Sequence, residues 1–425
     1  MGKDKGFRGN MERDWDLSGG IRDRDAGCAF RNKSSDLIRV IISIGTHISK
    51  PVSRIPNPAP YLCSALLHLN SISLYQFKTY LQSSFSFDER IIGICGNNGV
   101  GKTNLLDAIY YLCFTKSYFT KSDAQNVHYG AQGFRIEGKF ELNEQREKAV
   151  CVLRETGKKE FFWNEELYEK FSAHIGKLPC VIIAPDDVQI ITDGSEERRR
   201  FIDALLCQLD AKYLQSLMDY NKTLQQRNSL LKAFAERKQH DYHLLDVYDE
   251  QLEKTGIYVF EERKRFSENL LPLVKKFYVQ IAGADESVDI KYESQLFSSS
   301  FENLLKQFRE KDLMLQRSSV GIHKDDIDIS MNGQSFKSFA SQGQRKSLLF
   351  ALKLAEFEIL KNEKGFAPLL LLDDVFEKLD ESRMQNLLHW ACIQNGGQIF
   401  ITDTHSGRIK NHLEKLVIKY QLINV

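Results

Sequence analysis

The stretch Gly96-Asn97-Asn98-Gly99-Val100-Gly101-Lys102-Thr103 reads G-x-x-x-x-G-K-[ST]. That spacing lets backbone N–H groups curl around phosphates. An apolar run, Ile91–Cys95, precedes it, and a helical pattern, Thr103–Phe114, follows. The start of that helix adds its positive dipole end. Lys102 would reach the β- and γ-phosphates of a nucleoside triphosphate, and the Thr103 hydroxyl would ligate Mg²⁺. An accidental glycine-rich turn is the competing reading; it leaves the order strand, motif, helix unexplained.

Two further clusters belong to the same chemistry. Leu369-Leu370-Leu371-Leu372 runs into Asp373-Asp374, a buried strand ending in two carboxylates. Charges there are costly unless a cation or its waters receive them. Asp373 would hold Mg²⁺ through water, and Asp374 would orient or deprotonate an attacking water. A helix-capping Asp pair is the plainer alternative. Ser341-Gln342-Gly343-Gln344 precedes a helix expected to begin near Arg345 or Lys346, a second anion-binding turn. Taken alone it is a plain Ser N-cap. One chain has no use for two such turns on one triphosphate, but two chains packed head to tail would cap each other's nucleotide.

Strands and helices alternate around these motifs, as in an α/β domain. Strands are expected at Leu67–Leu74, in the region Phe85–Cys95, and at Phe134–Glu141, Ala149–Arg154 and Cys180–Ala184. From about Glu196 to Ala282 the pattern is almost wholly helical. Leu214, Leu217, Met218, Leu224, Leu231 and Phe234 recur at helical spacings, and a polar break, Glu236–Asp241, separates two runs. This predicts an antiparallel helical arm, Ala211–Ile281, inserted into the nucleotide domain. The α/β pattern resumes with a helix Lys346–Lys361, the strand Leu369–Leu372 and a closing strand Gln398–Thr402. The expected organisation is thus an extension at 1–66, a first ATPase part at 67–195, a helical lobe at 196–310 and a second ATPase part at 311–425. Residues 1–66 are dense in Arg, Lys, Asp and Gly without apolar periodicity up to Ser35, which favours disorder. Upstream sequence read into the protein, with a start near Leu67, is one hypothesis for them.

Lys+Arg is 58 against Asp+Glu 57, so any nucleic-acid binding needs a local basic patch or a surface assembled on demand. Cys28, Cys63, Cys95, Cys113, Cys151, Cys180, Cys207 and Cys392 are scattered without a C-x-x-C pair. That argues against a zinc ribbon or a disulfide framework. No run approaches the ~18 apolar residues of a membrane span, and the start does not read as a secretory signal. The expectation is a reduced, cytoplasmic protein with no membrane partner.

P-loop, then Ser-x-Gly-Gln, then hydrophobic-Asp-Asp is the layout of the ABC ATPase class. The resemblance narrows further. Leu74–Tyr80, Asn104-Leu-Leu-Asp-Ala-Ile-Tyr, Pro185-Asp-Asp-Val and Arg198-Arg-Arg-Phe-Ile-Asp203 look like the RecF family. So do Gln226-Arg227-Asn228 with Leu230-Leu231-Lys232, Gly321-Ile-His323-Lys-Asp325-Asp326 and Ser341-Gln-Gly-Gln-Arg-Lys-Ser. The likeness covers about Leu67 to the C-terminus. It implies a P-loop head of the SMC/Rad50 kind split by a helical lobe, without a long coiled coil. It also implies slow ATP hydrolysis, ATP-dependent homodimerisation, duplex and gapped DNA as ligand, and RecR and RecO as partners in loading RecA.

There are departures. Asp374 stands where many ABC ATPases place Glu, and Pro185-Asp186-Asp187 stands where transporters often carry a Q-loop glutamine; Gln189 is close. His405 reads equally as a γ-phosphate sensor or as an exposed loop histidine. His323 with Asp325 and Asp326 could pass for a metal site, but the alternation at Ile327 and Ile329 favours a turn entering a hairpin. Arg198–Arg200 could contact phosphates or form an ion-paired helix start with Glu196 and Glu197. A transporter ATPase subunit shares the core motifs, yet the long insertion and the RecF-like blocks stand against it. A Rad50-like tether needs a longer arm with a C-x-x-C hook. A clamp that binds ATP without turning it over is the remaining alternative, since Asp374 would be a poor base.

Overall fold

The computed structural model describes residues 66–237, 241–283, 286–377 and 380–425. The expectations for residues 1–65 lie outside the described residues.

Five parallel strands form the central sheet, in the order Gln421–Asn424, Ile91–Cys95, Ile399–Asp403, Leu369–Leu372, Cys180–Ile183. Both of its faces are covered, which is why its inner strands are continuous apolar runs rather than alternating ones. Ile92, Ile94, Ile182, Leu369, Leu371 and Phe400 pack into one apolar core. Ile91, Val181, Ile183, Leu370, Leu372, Ile399 and Ile401 face the other.

The first core holds the P-loop helix Lys102–Phe114 against a six-stranded antiparallel sheet. That sheet runs Tyr80–Ser86, Leu67–Phe77, Phe134–Leu142, Gln145–Leu153, Lys159–Trp163, Glu166–Leu167. Gln398, buried at the head of a central strand, ties the two sheets together. Its Oε1 accepts from the Leu69 N–H at 2.7 Å and its Nε2 donates to the Leu69 carbonyl at 3.0 Å.

The second core takes in the helices Ser195–Leu209 and Gln342–Lys364 and a three-stranded sheet, Gln334–Ser335, Asp326–Met331, Val288–Glu293. The arm is two helices, Ala211–Arg237 and Tyr242–Ala282. They run antiparallel: Leu231 and Phe234 pack on Leu245, and Arg227 pairs with Asp249.

Several expectations need correction. The region Phe85–Cys95 is not one strand but two, Tyr80–Ser86 and Ile91–Cys95, in different sheets, because the chain crosses between sheets at Phe87–Arg90. The chain does not close on Gln398–Thr402. A helix, Ser406–Lys415, and a last parallel strand, Gln421–Asn424, follow. Val288–Glu293 pairs antiparallel with Asp326–Met331. The helix expected from Lys346 begins at Gln342.

Candidate active site

The P-loop sits at the carboxyl end of strand Ile91–Cys95, where ligands bind in open α/β sheets. Gly101 adopts φ of +121°, and a Cβ there would lie 2.7 Å from Thr79 Oγ1. Only glycine fits that approach. The hairpin turn of the antiparallel sheet thus props the loop. Tyr80 Oη donates to the Gly101 carbonyl at 3.0 Å, and Asn104 Nδ2 donates to Thr79 Oγ1 at 3.0 Å. Below them Lys78 pairs with buried Asp107 at 2.5 Å, one turn along the helix from Thr103. Gly99 has nothing within 4 Å of its would-be Cβ, so Asn97, Asn98, Gly99 and Val100 form an open rim.

Lys102 is 5% exposed, and its Nζ donates to the carbonyls of Gly96 and Asn97 at 2.8 and 3.1 Å. The ammonium thus lies curled over its own loop. Thr103 Oγ1 lies 3.0 and 3.1 Å from the two oxygens of Asp373. Thr402 Oγ1 donates to Asp373 Oδ1 at 2.7 Å and itself accepts from the Asp374 N–H at 2.9 Å. Two strand ends and the start of the P-loop helix therefore meet at one carboxylate. Burial first, and then repulsion from Asp374, push the Asp373 carboxyl up to about 6. The hydroxyls of Thr402 and Thr103 and the charge of Lys102 oppose this. A buried carboxylate raised in this way, beside a hydroxyl, is a fitting ligand pair for a hard divalent cation. Asp374 takes φ of +44° just past the strand, which turns it out of the core to a half-buried position.

Ser341 caps the helix Gln342–Lys364 through a reciprocal box. Its Oγ accepts from the Gln344 N–H at 3.2 Å, while Gln344 Oε1 accepts from the Ser341 N–H at 2.8 Å. Ser341 and Gln342 are exposed, and the first turn carries no acidic residue. Gly343 lies so close to the Arg383 guanidinium that a Cβ would collide with it. A cleft of about 410 Å³ separates this turn from Asp373, with Pro185 and Val375 on one wall and Gln342, Arg345 and Lys346 on the other.

Other flagged residues fall elsewhere. Arg198 is held by Asp326 at 2.6 Å and Arg200 by Glu196 and Glu197, whereas Arg199 bonds Ser195 Oγ and the Asp325 carbonyl. His323 lies in a turn before the hairpin strand Asp326–Met331, bonded to Tyr220 Oη and the Ser318 carbonyl. Among the described residues no group of three or more His, Cys, Asp or Glu could hold a metal, so His323, Asp325 and Asp326 do not form one. His405 is exposed, and its N–H donates to Asp403 at 2.7 Å. Gln189 is exposed on a short helix after the edge strand. Sequence reasoning missed Lys78, Thr79, Asp107 and Thr402. The first three stand in or next to the blocks Leu74–Tyr80 and Asn104–Tyr110; Thr402 carries no local signal.

A sequence profile of the RecF/RecN/SMC N terminal domain matches residues 68–422. The DNA replication and repair protein RecF of Flavobacterium johnsoniae is 43% identical over 359 residues, which is 84% of this chain and 100% of that one. The RecF of Cytophaga hutchinsonii is 40% identical over 80% of this chain and 90% of its own length. A solved structure of the recombination mediator protein RecF with ATP, described as part of the RecFOR pathway, superposes with a TM-score of 0.75 at 30% identity. It covers 82% of this chain and 94% of that one. No helix of the described residues is long and apolar enough to cross a membrane. With the P-loop, the paired aspartates and the capped Ser-Gln-Gly-Gln turn mounted on one split α/β head, this chain belongs to the RecF family of DNA replication and repair proteins.

Proposed function

We propose that the chain is an ATP-gated DNA-binding protein of recombinational repair in the cytoplasm. It takes ATP with Mg²⁺, dimerises on it, engages duplex DNA near single-strand gaps and promotes RecA loading with RecR and RecO. The observation that carries the reading is the convergence of Thr103, Asp373 and Thr402 within hydrogen-bond distance beside Lys102. Thr103 and Asp373 would hold Mg²⁺, which supplies charge neutralisation on the phosphates when bound. Gly96–Gly101 would cradle the phosphates with backbone N–H groups, and Lys102 would exchange its two loop carbonyls for phosphate oxygens. Asp374, beside the metal ligand and turned out of the core, would orient or deprotonate water. Its shorter reach than a glutamate fits slow turnover. Ser341, Gln342, Gly343 and Gln344, a turn with no acidic residue whose first two members are exposed, would cap the nucleotide of a second copy.

Sedimentation velocity tests this, with ATP-Mg²⁺, with and without a duplex–single-strand junction, on wild type and Lys102→Met. The expected result is an ATP-dependent dimer that captures the junction, both lost in the variant. A chain that stays monomeric and ignores DNA overturns the reading. Asp374→Asn is expected to keep the dimer while hydrolysis falls roughly 10²-fold or more.

A further inference from the structure

The three neighbouring arginines at the start of the helix Ser195–Leu209 have different fates, and the difference marks a place on the surface. Arg198 and Arg200 are neutralised by carboxylates. Arg199 is not: its Nη1 binds Ser195 Oγ at 2.7 Å and the Asp325 carbonyl at 2.6 Å, and among the described residues it forms no ion pair. That carbonyl belongs to the residue after Lys324, in a loop closed by the bond from His323 Nε2 to the Ser318 carbonyl at 3.2 Å. Arg317 stands at the other end of this loop. Arg317 and Lys324 are exposed, and neither forms an ion pair among the described residues.

The acids around the loop are already engaged. Asp203 and Asp325 hold Arg263, Asp312 holds Arg227, and Asp326 holds Arg198. Positive charge is therefore left over. Burial lowers the Lys324 ammonium from its ordinary range, and the charges of Arg317 and Arg199 lower it further. Arg199 is likewise lowered, by burial and then by Arg263, against opposing pulls from Asp326, Asp325 and Glu196. His323 is brought down to about 4, by burial and then by Lys324, Arg199 and Arg227 despite its bond to Ser318. It stays neutral and adds no charge of its own. Beside the cluster opens a cleft of about 270 Å³ that includes Arg199, Tyr220, Asn221 and His323. Like charges held together cost free energy until an anion arrives, and the exposed Asn221 amide beside them suits a phosphate oxygen.

We infer that Arg199, Arg317 and Lys324 form a phosphate-contacting patch for the backbone of duplex DNA. The assignment rests on the ATP-gated DNA-binding reading and names residues for its DNA contact. The patch reads charge rather than sequence. Removing a cation therefore weakens binding by about the same factor on any sequence. The slope of log affinity against log salt falls by about 0.9 for each phosphate no longer neutralised.

The test is fluorescence anisotropy of a labelled duplex with full-length protein, Mg²⁺ and a non-hydrolysable ATP analogue, across about 50–200 mM salt. Arg199→Gln, Arg317→Gln and Lys324→Gln are measured singly and together. Each single variant is expected to lower the salt slope by about 0.9 and the triple by about three times that. Arg200→Gln, which removes the same charge from a neutralised arginine, is expected to leave the slope unchanged. Nucleotide-dependent dimerisation is followed in parallel. If the triple variant fails to fold, the exposed Arg317 and Lys324 variants carry the test. Variants that dimerise yet keep the wild-type slope overturn the assignment, leave the ATP-gated reading standing and turn the patch toward an acidic protein surface. Wild type that dimerises without binding duplex overturns both.

Discussion

Gly101 and Asp373 show how much of the site depends on single atoms. Gly101 is held at φ of +121° beneath Thr79 and Tyr80, so Gly101→Ala meets both backbone strain and a steric clash. A loss of about 1–3 kcal/mol is expected, with ATP binding abolished because the loop is pushed off its prop. Urea unfolding and nucleotide titration measure the two effects. Wild-type affinity in the alanine variant would show that the prop is dispensable. Asp373 illustrates the opposite economy of space: three polar neighbours steady one carboxylate that burial disfavours. It is poised for a cation.

At the scale of elements, the helix Gln342–Lys364 carries both the exposed cap and a buried ionic cluster. Lys353 Nζ lies 3.5 Å from Glu356 Oε2 and 4.0 Å from Asp187 Oδ2, and Asp187 follows the edge strand Cys180–Ile183. Tyr118, after the P-loop helix, donates to Asp187, and Tyr110 and Cys180 border the cluster. Burial pushes the Glu356 carboxyl up to about 7, Lys353 opposes this, and Asp187 adds to it. The folded state then holds a proton that the unfolded chain releases. This contribution to stability is full below the ordinary carboxylate range and is lost as pH rises through about 7. Glu356→Gln cannot titrate and is expected to flatten the fall in unfolding free energy between about pH 5 and 8, by roughly 2 kcal/mol. Parallel urea curves at each pH check this; equal slopes in variant and wild type would refute it.

Over the whole molecule, buried arginines join the arm to the head. Arg263, on the long arm helix, binds Asp203 at 2.9 Å, Asp325 at 2.9 Å and the Ile322 carbonyl at 2.8 Å. Arg227 binds Asp249 and Asp312 at 2.6 and 2.7 Å while wholly buried. Arg263→Met leaves buried Asp325 and half-buried Asp203 without their cation, and a loss of about 3–5 kcal/mol is expected. Asp325→Asn in that background should recover part of the loss, because one stranded charge is gone. A double-mutant cycle in urea measures the coupling, and strict additivity would mean the pair is independent.

The chemistry that local order can encode is legible in the chain alone. A phosphate loop must follow a strand and open a helix, a metal-binding aspartate must end a buried strand, and a capping serine must start a helix. Each is a property of neighbouring residues, and Gly96–Thr103, Leu369–Asp374 and Ser341–Gln344 carry them. The RecF-like blocks extend that legibility to the family. Long-range pairing is not legible. Phe85–Cys95 reads as one strand region, yet its two ends belong to Tyr80–Ser86 and Ile91–Cys95 in two different sheets, since nothing local says where a chain changes layer. The last strand, Gln421–Asn424, is short and half-buried, so its periodicity is weak. Thr402 becomes a site residue only when parallel pairing sets its strand beside Leu369–Leu372. Arg199 differs from Arg198 and Arg200 because they reach carboxylates and it reaches a hydroxyl and a backbone carbonyl. Residue order thus determined the local chemistry of this protein. Arg200 is neutralised by Glu196 and Glu197 on its own helix, but only tertiary packing decided that Arg198 meets Asp326 and that Arg199 meets no carboxylate among the described residues, because those distances of a few ångströms lie between residues far apart in the chain.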